Sequence, residues 1–204
     1  RKRDAADPDH LQEEKIMKRD PIHMQQDMLK TLITKDQLEA TVARLGREIT
    51  EDYRGRTPML VAVLKGAFIF MADLVRQIDI PCTLDFMAVS SYGAGMASSG
   101  QVKIIKDLDT TIEGKDVIIV EDILDSGVTL SYLMKLLQAR RPASIRLCTL
   151  FDKPARHKVD IHSDYIGLEV PNEFIVGYGL DYAEIYRNYP EIAVLKPSVY
   201  SEDQ

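Results

Sequence analysis

Cysteine is scarce in this sequence, and long apolar runs are missing. Its 204 residues contain only Cys82 and Cys148, and apolar residues surround both. We expect buried free thiols in a reducing compartment rather than a disulfide. No apolar run is long enough to span a membrane, and the amino-terminal stretch lacks the apolar segment of a signal peptide. The sequence therefore predicts a cytoplasmic protein without a membrane partner.

An excess of positive charge is missing as well. The sequence has 26 lysines and arginines against 32 acidic residues, which gives a net charge of −6. This balance gives no reason to expect nucleic acid as the main partner. An acidic protein that binds a polyanionic ligand has to use a divalent cation and a few well-placed basic side chains.

Two common nucleotide-binding motifs are also missing. Residues 93–100 read G-A-G-M-A-S-S-G, but Ser98 stands where a dinucleotide fingerprint needs its third glycine. No helix is predicted to follow, so we reject that motif. The sequence has no G-K-S or G-K-T either, which excludes a Walker phosphate loop. The small, polar composition of this segment predicts a flexible loop.

The most informative stretch is 117–130, which reads V-I-I-V-E-D-I-L-D-S-G-V-T-L. Its first four residues form a β-branched run that is typical of a strand buried on both faces of a parallel sheet. Glu121 and Asp122 follow at the carboxyl end, where open α/β sheets bind their ligands. A turn at 125–127 then leads into a helix, predicted by one apolar face. That face comprises Leu130, Leu133, Met134 and Leu137.

This order of residues suits a phosphorylated sugar. A small-residue loop that enters a helix offers free backbone N–H groups and a positive dipole end to a phosphate, and Ser126 and Thr129 add hydroxyl groups. Glu121 and Asp122 would repel that phosphate unless they hold a divalent cation or sugar hydroxyls. Asp125 is a third carboxylate, available for proton transfer. An isolated D-S-G would be interpreted as an ordinary capped turn. Here, however, the buried strand, the acidic pair, Asp125, the glycine and Thr129 follow one another in the order that such a site requires.

The rest of the chain alternates strands and helices without a repeat. The predicted strands are 59–64, 84–88, 102–105, 145–150, 165–168, 174–176 and 192–195. This alternation predicts an α/β fold with a doubly wound, mainly parallel sheet flanked by helices, and a smaller irregular region. Residues 1–23 have little apolar content, so we expect a flexible tail followed by a single domain over 24–204.

The segment E-D-I-L-D-S-G-V-T, residues 121–129, resembles the phosphoribosyl-pyrophosphate signature of the type I phosphoribosyltransferases. The likeness continues over about residues 24–200, and within that family it is to the bacterial hypoxanthine-guanine enzymes. The resemblance implies the type I fold, with a hood built from 24–34 and 165–200. It also implies a homodimer or homotetramer. The implied reaction is Mg²⁺-dependent transfer of a phosphoribosyl group from phosphoribosyl pyrophosphate to hypoxanthine or guanine.

The resemblance also assigns roles to residues of the signature. Glu121 and Asp122 would orient the ribose hydroxyls and the metal, and Asp125 would be the catalytic residue that manages the proton at N7 of the purine. The 5′-phosphate would lie on the loop formed by Ser126, Gly127, Val128 and Thr129. Some family members carry a cation where this chain has Val128, so N–H and hydroxyl groups would hold that phosphate.

The pyrophosphate and the lid are implied elsewhere in the chain. Lys65 and Gly66 follow a buried strand and could form a plain strand-to-helix turn. The resemblance places the pyrophosphate there together with Arg187, and implies a cis peptide bond between Leu64 and Lys65. It makes residues 91–100, beginning with Ser91 and Tyr92, a mobile lid that shelters the reacting sugar from water.

The purine would be recognised by four residues. Lys153 could be one solvated charge among Arg156, His157 and Lys158, but the resemblance assigns it to the 6-oxo group of the base. An ammonium is only a donor, so it favours an oxo group over an amino group. By resemblance, Phe174 stacks on the base, while the backbone of Ile175 and Asp181 meets its other edge. Asp181 is also the second metal position.

Two alternatives stay open from the sequence. One is a xanthine-preferring enzyme of the same fold. The other, of a different class, is an RNA-binding regulator that senses phosphoribosyl pyrophosphate on this fold. The regulator needs a basic face, and the acidic excess together with Lys153 and Phe174 at the base-binding positions argues against it.

Overall fold

The computed structural model describes residues 24–91 and 102–201. The predicted tail at 1–23 lies outside the described residues, as does almost all of the predicted lid. The chain divides into two compact units, one from its two ends, up to Thr34 and from Phe174, and one spanning 35–173. Within the described residues, no helix is both long enough and apolar enough to cross a membrane.

The helices and strands alternate through most of the chain. In chain order they are α1 (Met24–Asp27), β1 (Met28–Ile33), α2 (Lys35–Asp52), β2 (Met59–Leu64), α3 (Phe68–Val75), β3 (Thr83–Ser91), β4 (Val102–Lys106), β5 (Asp116–Leu124), α4 (Val128–Gln138), β6 (Ser144–Asp152), β7 (Tyr165–Glu169), β8 (Ile175–Val176), β9 (Ile192–Leu195) and α5 (Pro197–Tyr200). A short 3₁₀ helix, Pro154–Arg156, follows β6.

The larger unit is built on a six-stranded sheet with the order β4-β3-β2-β5-β6-β7. Only β4 is antiparallel to its neighbour; the other neighbouring pairs are parallel. The central strand β2 is apolar throughout, and β5 is apolar and buried over 117–120, as expected for strands with both faces covered. This sheet confirms the predicted mainly parallel α/β fold.

Helices cover both faces of this sheet. The buried leucines of α4 pack against one face, which includes Val61 and Ile119. Leu60 and Ile118 alternate with those residues, so they point to the opposite face, and both are fully buried. α3 packs on β2 and β5, and α2 packs on α3 and β7. The sheet is therefore doubly wound, and the core lies on both faces of β2 and β5.

The smaller unit contains a three-stranded antiparallel sheet with the order β1-β9-β8. Its core joins the two chain ends, because Met28 of β1 packs with Val176 of β8 and with Ala193 and Leu195 of β9. Tyr186 belongs to the same cluster, and its hydroxyl donates a hydrogen bond to Asp27 at 2.7 Å.

Two differences from the expected element boundaries bear on the site. The sequence ended the central strand at Val120, whereas β5 continues to Leu124 because β6 pairs with it as far as Leu124 and Asp152. The expected hood also began at 165, whereas β7 pairs in parallel with β6 as an edge of the six-stranded sheet. The second segment of the smaller unit therefore begins at Phe174 and not at 165.

Candidate active site

A cleft of about 270 Å³ opens in the larger unit at the carboxyl ends of β2 and β5. Part of its lining is apolar and comes from Val63, Leu64 and Val89. The polar part of the lining comes from the predicted signature, and consists of Glu121, Asp125, Ser126, Gly127 and Thr129. The structure thus brings one end of the central strand, its loop and the first turn of α4 together around one space.

The acidic pair emerges where β5 loses one of its neighbours. β2 pairs with β5 only as far as Ala62 and Val120, while β6 continues alongside to Leu124. Glu121 and Asp122 therefore lie in the part of β5 that is still paired with β6 but is no longer paired with β2. This gives carboxylates access to a ligand at the strand end, as open α/β sheets do.

Glu121 has a buried acceptor that nothing in the described chain satisfies. Its Oε2 atom is inaccessible to solvent and lacks a hydrogen-bond partner within the described residues. Burial raises the pKa of Glu121 well above its usual range, and the neighbouring carboxylate of Asp122 raises it further. A cation or a hydroxyl donor at this position would remove that cost.

Asp122 and Gly66 lie in close contact. The Oδ1 atom of Asp122 accepts a hydrogen bond from the backbone N–H of Ile123 at 2.8 Å. A Cβ atom added to Gly66 would lie 1.7 Å from Oδ2, so only glycine leaves room for this carboxylate. The peptide bond between Leu64 and Lys65 is cis, which confirms the geometry that the resemblance implied. The loop after β2 therefore lies directly beside the acidic pair on β5.

The loop that enters α4 turns sharply at Gly127. This residue is the N-cap of the helix and has a φ of +74°, a conformation that favours glycine. A Cβ atom there would lie 2.5 Å from Cγ2 of Ile161. The backbone N–H of Val128 donates to Oγ of Ser126 at 3.4 Å, a long hydrogen bond. The first turn of α4 therefore offers weakly bonded N–H groups at the edge of the cleft.

Asp125 is paired with an arginine to which the sequence had given no role. The Nε atom of Arg156 donates to Oδ1 of Asp125 at 2.9 Å. Both side chains are a little less than half exposed. The only sequence signal was the position of Arg156, three residues after Lys153 in a cluster that looked like solvated charge.

Lys153 is buried rather than solvated, with 9% of its surface exposed. Its Nζ atom donates to the backbone carbonyl of Glu173 at 2.8 Å. Burial lowers the pKa of Lys153, and the nearby Asp125 carboxylate partly opposes that shift. Nε2 of His157, whose side chain is mostly buried, lies 2.6 Å from Oδ1 of Asp152, the residue before Lys153.

Phe174 belongs to an aromatic cluster of the smaller unit. Its ring is stacked on Tyr200 of α5, with centroids 4.8 Å apart and an interplanar angle of 21°. Tyr182 meets it edge-on at 5.6 Å. Phe174 is nevertheless 39% exposed, so part of its ring is accessible. The sequence did not identify Tyr200, because the helix that carries it was not predicted. The backbone of Ile175 belongs to β8, where the residue pairs with Val194.

The predicted metal and pyrophosphate positions of the smaller unit contact each other. Arg187 Nη1 lies 2.9 Å from Oδ1 of Asp181, and the backbone N–H of Glu184 donates to Oδ2 of the same carboxylate. Nη1 of Arg187 also donates to the carbonyl of Gly179 at 2.8 Å. Its Nε atom is buried and has no partner among the described residues.

The donor set fits Mg²⁺ held jointly with a substrate. In the described part of the chain, no three acidic, histidine or cysteine side chains form a group that could hold a metal alone. Mg²⁺ is usually bound by one or two carboxylates together with phosphate oxygens and waters. Glu121, with its unsatisfied buried oxygen, and Asp122 provide such a pair.

The predicted lid lies almost entirely outside the described residues. Ser91 is the last residue of β3, and only its backbone is described. Tyr92 and the rest of 92–101 lie outside the described residues, so the mobile lid stays a prediction.

Comparison with known proteins is consistent with this geometry. The phosphoribosyl transferase domain family matches residues 30–183. A hypoxanthine-guanine phosphoribosyltransferase of Bacillus subtilis (strain 168) is 55% identical over 177 residues, which cover 87% of this chain and 98% of that protein. The crystal structure of a hypoxanthine phosphoribosyltransferase from Staphylococcus aureus has a TM-score of 0.85 at 49% identity. It covers 88% of this chain and 97% of that one.

Some relatives are much longer than this chain. The bifunctional protein TilS/HprT of Listeria monocytogenes is 56% identical over 179 residues, or 88% of this chain. The match spans 28% of the length of that relative.

Proposed function

Because the chain belongs to the phosphoribosyltransferase family, and within it to the hypoxanthine-guanine phosphoribosyltransferases, we propose that it performs a step of purine salvage. It transfers the 5-phosphoribosyl group of phosphoribosyl pyrophosphate to hypoxanthine or guanine and forms inosine or guanosine monophosphate and pyrophosphate. The observation that carries this proposal is the cleft at the end of β5, where Glu121, Asp125 and the loop into α4 line one space.

The phosphate of the sugar is bound by the loop and the first turn of α4. Residues 126–129 contribute backbone N–H groups, and the hydroxyls of Ser126 and Thr129 add donors beside the positive end of the helix dipole. Gly127 supports this role, because its positive φ and close contact with Ile161 exclude larger residues from the turn.

Glu121 and Asp122 orient the two ribose hydroxyls. Carboxylates only accept, so each hydroxyl donates to an oxygen, and the unsatisfied Oε2 of Glu121 is one such acceptor. Members of this family generally use Mg²⁺. Glu121 and Asp122 would hold it, with Asp181 as the second position. Bound Mg²⁺ would neutralise charge on phosphate oxygens and stabilise the leaving group.

Lys153 selects the purine. Its ammonium group donates to the 6-oxo group of hypoxanthine or guanine, and an amino group at that position would leave the donor unpaired. The low exposure of Lys153 strengthens this discrimination, since a buried unpaired donor costs more than an exposed one. Phe174 stacks on the base, and the backbone of Ile175 and Asp181 contacts its other edge.

Asp125 moves the proton of the reaction. The bond from the anomeric carbon to the pyrophosphate oxygen breaks while N9 of the purine bonds to that carbon. The purine loses its N7 proton to the carboxylate of Asp125. The pyrophosphate takes the electron pair of the broken bond, and the Lys65 ammonium, the Gly66 backbone N–H and Arg187 stabilise its charge.

Turnover with four bases tests this function. Hypoxanthine and guanine should be converted with phosphoribosyl pyrophosphate and Mg²⁺, while adenine should not. A kcat/KM that is highest for xanthine would favour the xanthine-preferring alternative. Absence of turnover with every base, together with tight filter binding of RNA, would favour the regulator and contradict the proposal.

We also propose a cytoplasmic homodimer or homotetramer. Leu84 and Ile105, on the neighbouring strands β3 and β4, are 47% and 61% exposed, and apolar surface of this kind is often covered by a partner. Cys82 and Cys148 are both free, which suits a reducing compartment. Light scattering measures the oligomeric state, and a stable monomer at micromolar concentration would contradict the assembly.

A further inference from the structure

The two oxygens of the Asp125 carboxylate have different surroundings. Oδ1 accepts the 2.9 Å hydrogen bond from Nε of Arg156. Oδ2 has no hydrogen-bond partner within the described part of the chain, and Asp125 lines the cleft. One oxygen is therefore engaged, and the other is available to a ligand.

Arg156 is held in place by the segment that carries it. Pro154–Arg156 forms a 3₁₀ turn in which the backbone N–H of Arg156 donates to the carbonyl of Lys153 at 2.8 Å. The arginine that contacts Asp125 and the lysine assigned to the base therefore belong to one turn of chain. An exposed ion pair stabilises little when it has to order two mobile side chains. The hydrogen-bonded 3₁₀ turn lowers that cost, because it already fixes the backbone of Arg156.

The same segment is bonded to the loop that carries Asp125. The backbone N–H of Lys153 donates to the carbonyl of Leu124 at 2.9 Å, and that of Lys158 donates to the carbonyl of Ser126 at 3.0 Å. These two bonds flank Asp125 on both sides, and the arginine contact lies between them. The segment 153–158 and the loop 124–126 are thus joined at three places.

We propose that Arg156 is the positioning residue for Asp125. It fixes one carboxylate oxygen, so the other keeps the orientation needed to accept a proton from the purine. The inference rests on the proposed function, because it assumes that Asp125 transfers this proton. It adds that the segment carrying Lys153 also orients the Asp125 carboxylate. One segment of the chain therefore positions both the residue that recognises the purine and the residue that accepts its proton.

The physical reason is the freedom of a half-exposed aspartate. Without a partner, the carboxylate of Asp125 can rotate about its side-chain bonds and make hydrogen bonds to water. A misplacement of about 1 Å can cost up to about 10²-fold in rate. Loss of Arg156 should therefore slow the chemical step and leave substrate binding nearly unchanged.

The test compares Arg156→Met, Arg156→Lys and Arg54→Met in single-turnover and steady-state assays. Methionine keeps most of the stem length but removes every donor. Arg54 is a matched control, because it is an exposed arginine that pairs with Glu51, outside the cleft lining. We expect Arg156→Met to lower the single-turnover rate about tenfold, with both KM values changed less than about twofold. Arg156→Lys should recover most of the rate, and Arg54→Met should match the wild type.

A second comparison uses Asp125→Asn, which keeps an oxygen that can accept from Arg156 but removes the basicity. Alone, it should lower the rate by about 10²–10⁴-fold. Adding Arg156→Met to it should cost almost nothing more, because the two residues act as one unit. A full tenfold further loss would show that Arg156 acts elsewhere and would overturn the inference.

The two proposals fail in different ways. If Asp125→Asn is slow and Arg156→Met is as fast as the wild type, the inference is overturned and the proposed role of Asp125 stands. If Asp125→Asn keeps near-wild-type single-turnover rates, the catalytic assignment of Asp125 itself is wrong. Equal loss in Arg156→Met and Arg156→Lys, with raised KM values, would also contradict a positioning role.

Discussion

A Cβ atom added to Gly66 would lie 1.7 Å from Oδ2 of Asp122, although Gly66 lies in the loop after β2 and Asp122 lies within β5. The loop after β2 therefore leaves space for a carboxylate of β5, and that carboxylate is assigned to the ribose. We predict that Gly66→Ala forces Asp122 to rotate away and raises the KM for phosphoribosyl pyrophosphate about tenfold or more. Substrate titration and steady-state kinetics measure this effect. An unchanged KM would contradict the assignment of the Asp122 carboxylate to the ribose.

Glu121→Gln should stabilise the free protein while it damages turnover. Burial raises the pKa of Glu121, so the folded protein binds this proton more tightly than the unfolded chain does. The free energy of unfolding therefore falls as pH rises from the pKa of Glu121 in the unfolded chain through its higher pKa in the folded protein, because the carboxylate becomes ionised while buried. Glutamine cannot ionise, so we expect a gain of about 1 kcal/mol, or about 2–4 °C in Tm, above that pH range.

Thermal unfolding at several pH values checks this prediction. The gain should shrink in acid, because Glu121 is then already neutral, and Glu39→Gln on the exposed face of α2 serves as the control. A Tm that is lower for Glu121→Gln at neutral pH would contradict the unsatisfied burial of this carboxylate.

Lys153→Ala should reduce kcat/KM for hypoxanthine and guanine by orders of magnitude, because the 6-oxo group loses its donor. Burial lowers the pKa of Lys153, so its ammonium group loses its proton at a lower pH than an exposed lysine does. Activity that depends on this ammonium should fall as pH rises through the lowered pKa. Lys153→Arg keeps its charge at every accessible pH.

The pH profile of kcat/KM for one base in the wild type and in Lys153→Arg isolates this effect, since ionisation of the base is common to both. The alkaline decline should begin earlier in the wild type. Superimposable profiles would show that another group causes the decline.

Gly127→Ala should cost more than Gly114→Ala. Both glycines have a similar positive φ, +74° and +71°, so both variants suffer the same backbone strain of about 1 kcal/mol or more. Only position 127 also places the new Cβ 2.5 Å from Ile161, whereas position 114 has nothing within 4 Å. Chemical denaturation should show the larger loss for Gly127→Ala, and only that variant should lose affinity for phosphoribosyl pyrophosphate. Equal losses would contradict the packing of Ile161 against the phosphate loop.

The sequence by itself determined the fold class and the centre of the candidate site. A β-branched run, an acidic pair, a glycine turn and a helical period follow one another in 117–130, and each is a local pattern. Local patterns persist in the fold because the period of the apolar residues selects strand or helix. The turn at Gly127 is readable because few other residues adopt its backbone conformation.

Only the tertiary structure decided which distant side chains meet. Arg156 looked like a solvated charge in a cluster with Lys153, His157 and Lys158, and its contact with Asp125 depends on β6 pairing beside β5 up to Asp152. β7 was expected in the smaller region, but it continues the parallel sheet on the other side of β6. Tyr200 could not be linked to Phe174 from the sequence, because the two rings meet only after β9 returns the chain beside β8. Such contacts follow from strand order and register between distant segments, which no local period of the sequence encodes.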